Sequence, residues 1–103
     1  MSEFVRVARL EDIPDNRCLS VEAGDSFIAL TRVNGEVLAF EDACSHDGAE
    51  MAHGRLEGEE ITCPRHFAKF NIRTGEVLAM PATSPIQVFK TRIVDGDVEV
   101  EIE

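Results

Sequence analysis

The sequence predicts an all-β protein: an antiparallel sandwich or barrel with a small subdomain inserted into it. Three observations carry this. Most of the chain alternates apolar and polar residues with period two, the mark of strands with one buried face. Two-residue turn signals, Asn34-Gly35 and Asp95-Gly96, join consecutive apolar runs. No segment carries the periodicity of a long helix.

Phe4-Val5-Arg6-Val7 opens the chain as a strand. A turn or single helical turn follows over residues 10–14, where Glu11 and Asp12 suit a helical start. Residues 17–22 alternate, Ala23-Gly24-Asp25 is a turn, and Ser26–Val33 is a strand rich in Ile, Leu, Phe and Val. Residues 36–40 return from the Asn34-Gly35 turn. The alternation then breaks: residues 42–60 contain Gly48, Gly54 and Gly58 and little period. Ile61-Thr62 resumes a short strand, residues 67–72 return, and Thr74-Gly75 turns into a strand over 76–79. Pro81 and Pro85 bracket a loop. Residues 86–94 and Asp97–Ile102 form a last hairpin. This gives nine or ten short strands, with the segment at approximately 41–85 set between the outer ones.

A chain of 103 residues is one domain, at the small end of the usual range. Such a domain is stable by a modest margin, and a bound metal would add to it by coupling binding to folding. The formal net charge is −10. Nucleic acid and anionic membrane both need a basic surface, so charge of this sign argues against them as partners. It suits a positively charged partner face or serves solubility alone, and charge does not choose between these. No apolar run approaches the ~20 residues that cross a bilayer. Residues 1–10 lack a signal-peptide core, so the protein is expected in the cytoplasm. The three cysteines are an odd number, so disulfides alone would leave one over. In a reducing compartment, cysteines beside histidines point to metal or catalysis.

Two cysteine–histidine pairs sit in mid-chain: Cys44-Ser45-His46 and Cys63-Pro64-Arg65-His66, with sixteen residues between His46 and Cys63. Each places a thiolate and an imidazole on one short loop, and the nearby glycines and Pro64 permit tight turns. Two such loops can converge on one site. Two sulfur and two nitrogen ligands leave tetrahedral zinc or an iron–sulfur cluster with mixed ligation. Zinc sites more often use C-x-x-C and H-x-x-x-H spacings, and the chain has neither. Buried cysteines and surface histidines would account for one such pair more readily than for two in a chain with three histidines. His53 fits the spacing of neither pair and is expected to be a non-ligand loop residue. Cys18, in an alternating run, is expected to be a buried apolar filler.

Cys44-x-His46, the gap, Cys63-x-x-His66 and the following Phe70-Asn71-x-x-Thr74-Gly75 resemble the Rieske [2Fe–2S] family. The chain is most similar to the small Rieske ferredoxins of bacterial aromatic-ring-hydroxylating dioxygenase systems, and the resemblance runs along essentially all of it. It implies a Rieske-like antiparallel β-sandwich: a single domain over residues 1–103 with a cluster-binding subdomain at approximately 41–85. It implies one [2Fe–2S] cluster per chain, with Cys44 and Cys63 on one iron and His46 and His66 on the other, the histidines at an exposed tip. The implied function is that of a monomeric one-electron carrier rather than an enzyme, between a flavoprotein reductase and a terminal oxygenase. With all four positions filled by protein ligands, no open site remains for a substrate. Asp47, Arg65, Lys69 and the 81–85 loop are candidates for docking, each also readable as solvated surface, and the family suggests that the loop covers the cluster. Two readings from other classes stand beside this one. The first is the Rieske-type small subunit of a nitrite reductase, although such subunits often lack the ligands that are intact here. The second is a zinc-stabilised binding module without a redox role.

Departures from the family pattern bear on the potential. High-potential members carry an extra cysteine in each cluster loop, where Ala49 and Arg65 stand here. They also place Ser and Tyr hydroxyls against the sulfurs, where Ala68 and Phe70 stand here. Phe67 occupies a place where Gly is usual. Mixed ligation leaves the oxidised cluster neutral, so an added electron meets less repulsion than in an all-cysteine cluster. Missing hydroxyl donors act the other way, because they leave added negative charge less stabilised. Redox potentiometry is therefore expected to place the midpoint near the lower end of the roughly −150 to +300 mV range of such centres. The midpoint is also expected to fall at alkaline pH, as ligand imidazoles lose their remaining N–H protons. A midpoint well above zero contradicts the first expectation, and a flat profile from about pH 6 to about pH 11 contradicts the second.

Overall fold

The computed structural model describes residues 3–24, 26–42, 54–63, 68–79 and 85–102. Among them the strands are β1 (Glu3–Arg9), β2 (Leu19–Ala23), β3 (Ser26–Val33), β4 (Glu36–Glu41), β5 (Arg55–Glu57), β6 (Glu60–Thr62), β7 (Lys69–Asn71), β8 (Val77–Ala79), β9 (Val88–Phe89), β10 (Thr91–Val94) and β11 (Asp97–Ile102). A single 3-10 turn, Leu10–Asp12, follows β1, as the acidic start after Leu10 suggests. Three antiparallel sheets result, ordered β1-β11-β10, β2-β3-β4-β9 and β5-β6-β7-β8.

The second sheet is covered on both faces, which is why β3 and β4 read as near-continuous apolar runs. Successive side chains of a strand point to opposite faces. Ile28, Leu30, Val37 and Ala39 point into a core shared with Ile13, Val98 and Val100. Ala29, Val33, Leu38 and Phe40 point the other way, into a core shared with Ile61, Cys63, Ala68, Phe70, Ile72 and Ile86. The β3–β4 register sets Leu30 opposite Ala39 and Ala29 opposite Phe40, so each cross-strand pair belongs to one core. A slip by one residue would send every side chain of the slipped strand to the wrong core. Phe40 and Phe70 are fully buried in the second core. Truncating either to Ala would remove about 3–5 kcal/mol.

Both two-residue turns form as the sequence signals. Asn34 and Gly35 have φ of 52° and 81°, and Asp95 and Gly96 have 51° and 82°. Positive φ at both central residues is the type I′ geometry, whose twist matches that of paired strands.

Two details differ from the sequence reading. Residues 86–94, expected as one strand, divide into β9, which pairs with β4, and β10, which pairs with β11. The chain changes sheets at Lys90, whose carbonyl accepts from the Glu101 N–H at 2.9 Å. Val88-Phe89 sets two apolar residues in succession and inverts the phase of the alternation, a signal that the one-strand reading passed over. The strand β5 lies within the stretch expected to be irregular. Three residues before the Gly58 turn are too few to display a period, and their strand character comes from pairing with β6.

Arg73 joins two sheets at the surface. It donates to Glu36 of β4 at 2.7 Å through Nη1, and to Glu59 of the β5–β6 turn at 2.8 Å through Nε. These hydrogen bonds, reinforced by the arginine's charge, hold the Glu36 carboxyl below its ordinary range. A depressed carboxyl contributes stability above its unfolded value and loses it as pH falls through the folded one. The pair is exposed and screened by water, so the contribution is small. Arg73→Gln is expected to lower the melting temperature slightly near neutral pH and to have less effect in acid. Equal effects at both pH values, read by thermal melts, would contradict the assignment.

Candidate metal centre

The β6–β7 hairpin pairs Glu60 with Asn71, Ile61 with Phe70 and Thr62 with Lys69. One further bond closes its open end: the Cys63 N–H donates to the Ala68 carbonyl at 2.7 Å. Residues 64–67, which include His66, lie between those two. The Cys63 side chain is a free thiol with 0% exposure, set in the core that holds Phe40, Ala68 and Phe70. A short apolar hairpin therefore delivers one sulfur to a dry position.

The other pair-bearing segment begins where β4 ends. The Asp42 N–H donates to the Phe27 carbonyl at 3.0 Å, and the Ser20 hydroxyl donates to the Asp42 carboxylate at 2.7 Å. On the other side the Glu41 N–H donates to the Gln87 carbonyl at 2.8 Å, and the Gln87 N–H donates to the Glu41 carboxylate at 3.1 Å. The strand leading towards Cys44 is thus held from both sides. The chain returns through β5, which pairs with β6, the strand that leads into Cys63.

The Asn71–Gly75 part of the motif has a structural task. Asn71 Oδ1 accepts from the N–H groups of Arg73 at 2.8 Å and Thr74 at 3.1 Å, and Thr74 Oγ1 accepts from the Glu76 N–H at 3.2 Å. This fixes a tight turn in which Gly75 adopts φ of 84°. The Gly75 carbonyl accepts from the Ile86 N–H at 3.0 Å, and a Cβ at Gly75 would overlap the Ile86 carbonyl oxygen. Glycine is required on both counts. The contact ties residues 85–86 to the hairpin that carries Cys63.

Of the residues that the sequence singles out, Cys63, Lys69, Pro85, Ala68, Phe70 and Cys18 lie within the described residues. Cys44, His46, His66, Asp47, Ala49, His53, Arg65, Phe67 and Pro81 lie outside them. Lys69 and Pro85 are exposed, whereas Ala68 and Phe70 are fully buried. Cys18 precedes β2 and is partly buried against the core of Cys63, not fully buried as expected. Burial, and then the charge of Asp42, push its thiol up to about 12. It stays protonated at neutral pH, which makes it a poor nucleophile. Sequence reasoning missed the Ser20–Asp42 and Glu41–Gln87 contacts. The available signal was an acidic pair, Glu41-Asp42, standing between an apolar strand and a candidate ligand.

The donor chemistry fits an iron–sulfur group. Cys63 is an unbridged thiol that offers soft sulfur, the donor type that iron–sulfur groups take. Comparison with known proteins points the same way. The Rieske [2Fe-2S] domain family matches residues 3–90. The ferredoxin component of the naphthalene 1,2-dioxygenase/salicylate 5-hydroxylase systems of Ralstonia sp is 36% identical over 100 residues, covering 97% of this chain and 96% of that protein. The ferredoxin of Sphingomonas yanoikuyae B1 superposes with a TM-score of 0.92 at 28% identity, covering 98% of this chain and all of that one. A chain from the complex of reduced oxygenase and oxidized ferredoxin in carbazole 1,9a-dioxygenase superposes with a TM-score of 0.87 at 33% identity, covering 94% and 91%.

Gly75→Ala is expected to cost about 2 kcal/mol or more, through a strained φ and the overlap with Ile86. Denaturant unfolding would show it. A loss below about 0.5 kcal/mol, the range of neutral surface changes, would contradict the geometry.

Proposed function

This chain belongs to the Rieske [2Fe–2S] family, and on that premise we propose that it carries single electrons from a flavoprotein reductase to the terminal oxygenase of an aromatic-ring-hydroxylating system. It is an electron-transfer component, not an enzyme. Cys63 carries this reading: a fully buried free thiol at the closed end of a hairpin. It stands in a chain that aligns with a dioxygenase ferredoxin component over nearly its whole length.

Cys44 and Cys63 would hold one iron of the cluster, and His46 and His66 the other. When bound, the cluster supplies one-electron redox chemistry at a potential above that of all-cysteine clusters. The protein's own part is placement. The Cys63–Ala68 bond holds one ligand loop, and the contacts of Glu41 and Asp42 hold the root of the other. The core around Cys63 keeps water from the sulfur side. Residues 41–85 act as the cluster subdomain of a single domain spanning 1–103, with the β5-β6-β7-β8 sheet as its frame. No helix among the described residues is long and apolar enough to cross a membrane. We place the carrier in the cytoplasm as a monomer, where its charge of −10 suits cationic docking faces on both partners.

Chemical analysis tests the ligand set. The purified protein is expected to hold two irons and two acid-labile sulfides per chain. Cys63→Ser and His66→Ala are expected to lose most of both, and Cys18→Ser to keep them. Equal retention in Cys63→Ser and Cys18→Ser would overturn the assignment, and zinc in place of iron would restore the binding-module reading.

A second test concerns the potential. By the family likeness, Ala68 stands where high-potential relatives present a hydroxyl. A hydrogen bond to a charged acceptor contributes about 1.5 kcal/mol, or about 60 mV for one electron. Ala68→Ser is expected to raise the midpoint by up to that amount, and an unchanged or lower midpoint would contradict this.

A further inference from the structure

We propose that Asn34-Gly35, at the tip of the β3–β4 hairpin, is a site of spontaneous covalent modification, where loss of the Asn34 amide leaves an isoaspartyl link that loosens the hairpin. The inference does not depend on the cluster assignment.

The asparagines of the chain are Asn16, Asn34 and Asn71, and they stand before Arg17, Gly35 and Ile72. An asparagine amide is lost when the backbone nitrogen of the next residue attacks its side-chain carbonyl carbon, and a side chain on that next residue obstructs the approach. Gly35 has none, and nothing lies within 4 Å of the place its Cβ would take. Asn34 and Gly35 are both exposed, and among the described residues neither the Asn34 side chain nor the Gly35 N–H has a hydrogen-bond partner. Asn71 is the opposite case. Its Oδ1 accepts from the N–H groups of Arg73 and Thr74, and the next residue is the buried, β-branched Ile72. Asn16 is exposed, but Arg17 follows it, and its own N–H donates to the Arg32 carbonyl at 3.1 Å.

In the first step a bond forms between the Gly35 nitrogen and Asn34 Cγ, the nitrogen sheds its proton, and the side-chain amide leaves as ammonia. Water then opens the cyclic imide. Cleavage of the Cγ–N bond gives aspartate, and cleavage of the backbone C–N bond gives isoaspartate, with the chain running through Cγ. No oxidant or reductant takes part. Either product makes the chain one unit more negative than −10. The two differ in the turn. Asp-Gly already forms a type I′ turn in this chain at Asp95-Gly96, with φ of 51° and 82°. Isoaspartate adds a backbone carbon to a two-residue turn, and the pairing of Val33 with Glu36 leaves no room for it. Val33 and Val37 are buried in opposite cores, and Glu36 accepts from Arg73 at 2.7 Å. The distortion therefore reaches both cores and the tie to the β5–β6 turn.

The test ages the purified full chain in mildly alkaline buffer at physiological temperature. Peptide mapping by mass spectrometry follows each asparagine, and isoaspartyl methyltransferase labels the isoaspartyl product. Asn34 should convert first, and faster as pH rises because the attacking nitrogen must lose its proton, while Asn16 and Asn71 stay intact. Thermal melts of the aged protein should show a lower-melting component that grows with the labelled fraction. Freshly prepared Asn34→Asp should melt within about 3 °C of the parent, because it has the charge without the extra backbone carbon. Conversion of Asn16 or Asn71 ahead of Asn34, an unchanged Asn34, or labelled protein that melts like the parent would each overturn the inference. So would an Asn34→Asp variant that melts as low as the aged protein, since the added charge and not the lengthened backbone would then be the cause.

Discussion

The β3–β4 ladder is the constraint on which the rest of the structure depends. Its side chains serve two cores at once, Ile28, Leu30, Val37 and Ala39 on one face and Ala29, Val33, Leu38 and Phe40 on the other. One face is covered by the outer sheet through Val98 and Val100. The other receives the hairpin that ends in Cys63. Because the register cannot slip without inverting both cores, Asp42, at the root of one proposed ligand loop, and the hairpin that ends in Cys63 are fixed relative to one frame. An electron carrier benefits from such rigidity, since little has to rearrange when its charge changes by one.

Small domains have a thin stability margin, and this one packs part of its apolar core around Cys63. Cys63 is both a core residue and a proposed ligand. Metal binding and folding are then coupled, because the thiolate position exists only when Phe40, Phe70 and Ile86 are packed. Gly75 extends the same logic: its missing side chain lets residues 85–86 close onto the hairpin. The proposed ligand loops are thus flanked by backbone hydrogen bonds among the described residues, with Ser20–Asp42 and the Asn71 turn supplying side-chain contacts.

Much of this was legible in the sequence. Asn34-Gly35 and Asp95-Gly96 announced their hairpins because positive φ at both turn positions restricts residue choice. The two cysteine–histidine pairs carried the family likeness that the Rieske [2Fe-2S] domain match over residues 3–90 shows, while of the four proposed ligands only Cys63 lies within the described residues. What escaped was tertiary. The change of sheet at Lys90 shows in the sequence only as a phase shift at Val88-Phe89, which a bulge in a single strand would also produce. The strand β5 takes its identity from a partner rather than from its own pattern. The incomplete burial of Cys18, and the reach of Ser20 across β3 to Asp42, depend on strands far apart in sequence.

Mixed sulfur and nitrogen ligation of a two-iron cluster is the central claim, and an EPR spectrum of the dithionite-reduced protein tests it most directly. Imidazole ligands on one iron lower the average g value below that of an all-cysteine [2Fe–2S] cluster, and this account predicts such a spectrum, integrating to one spin per chain. An average g typical of all-cysteine ligation, or iron-containing protein that gives no signal on reduction, would contradict it.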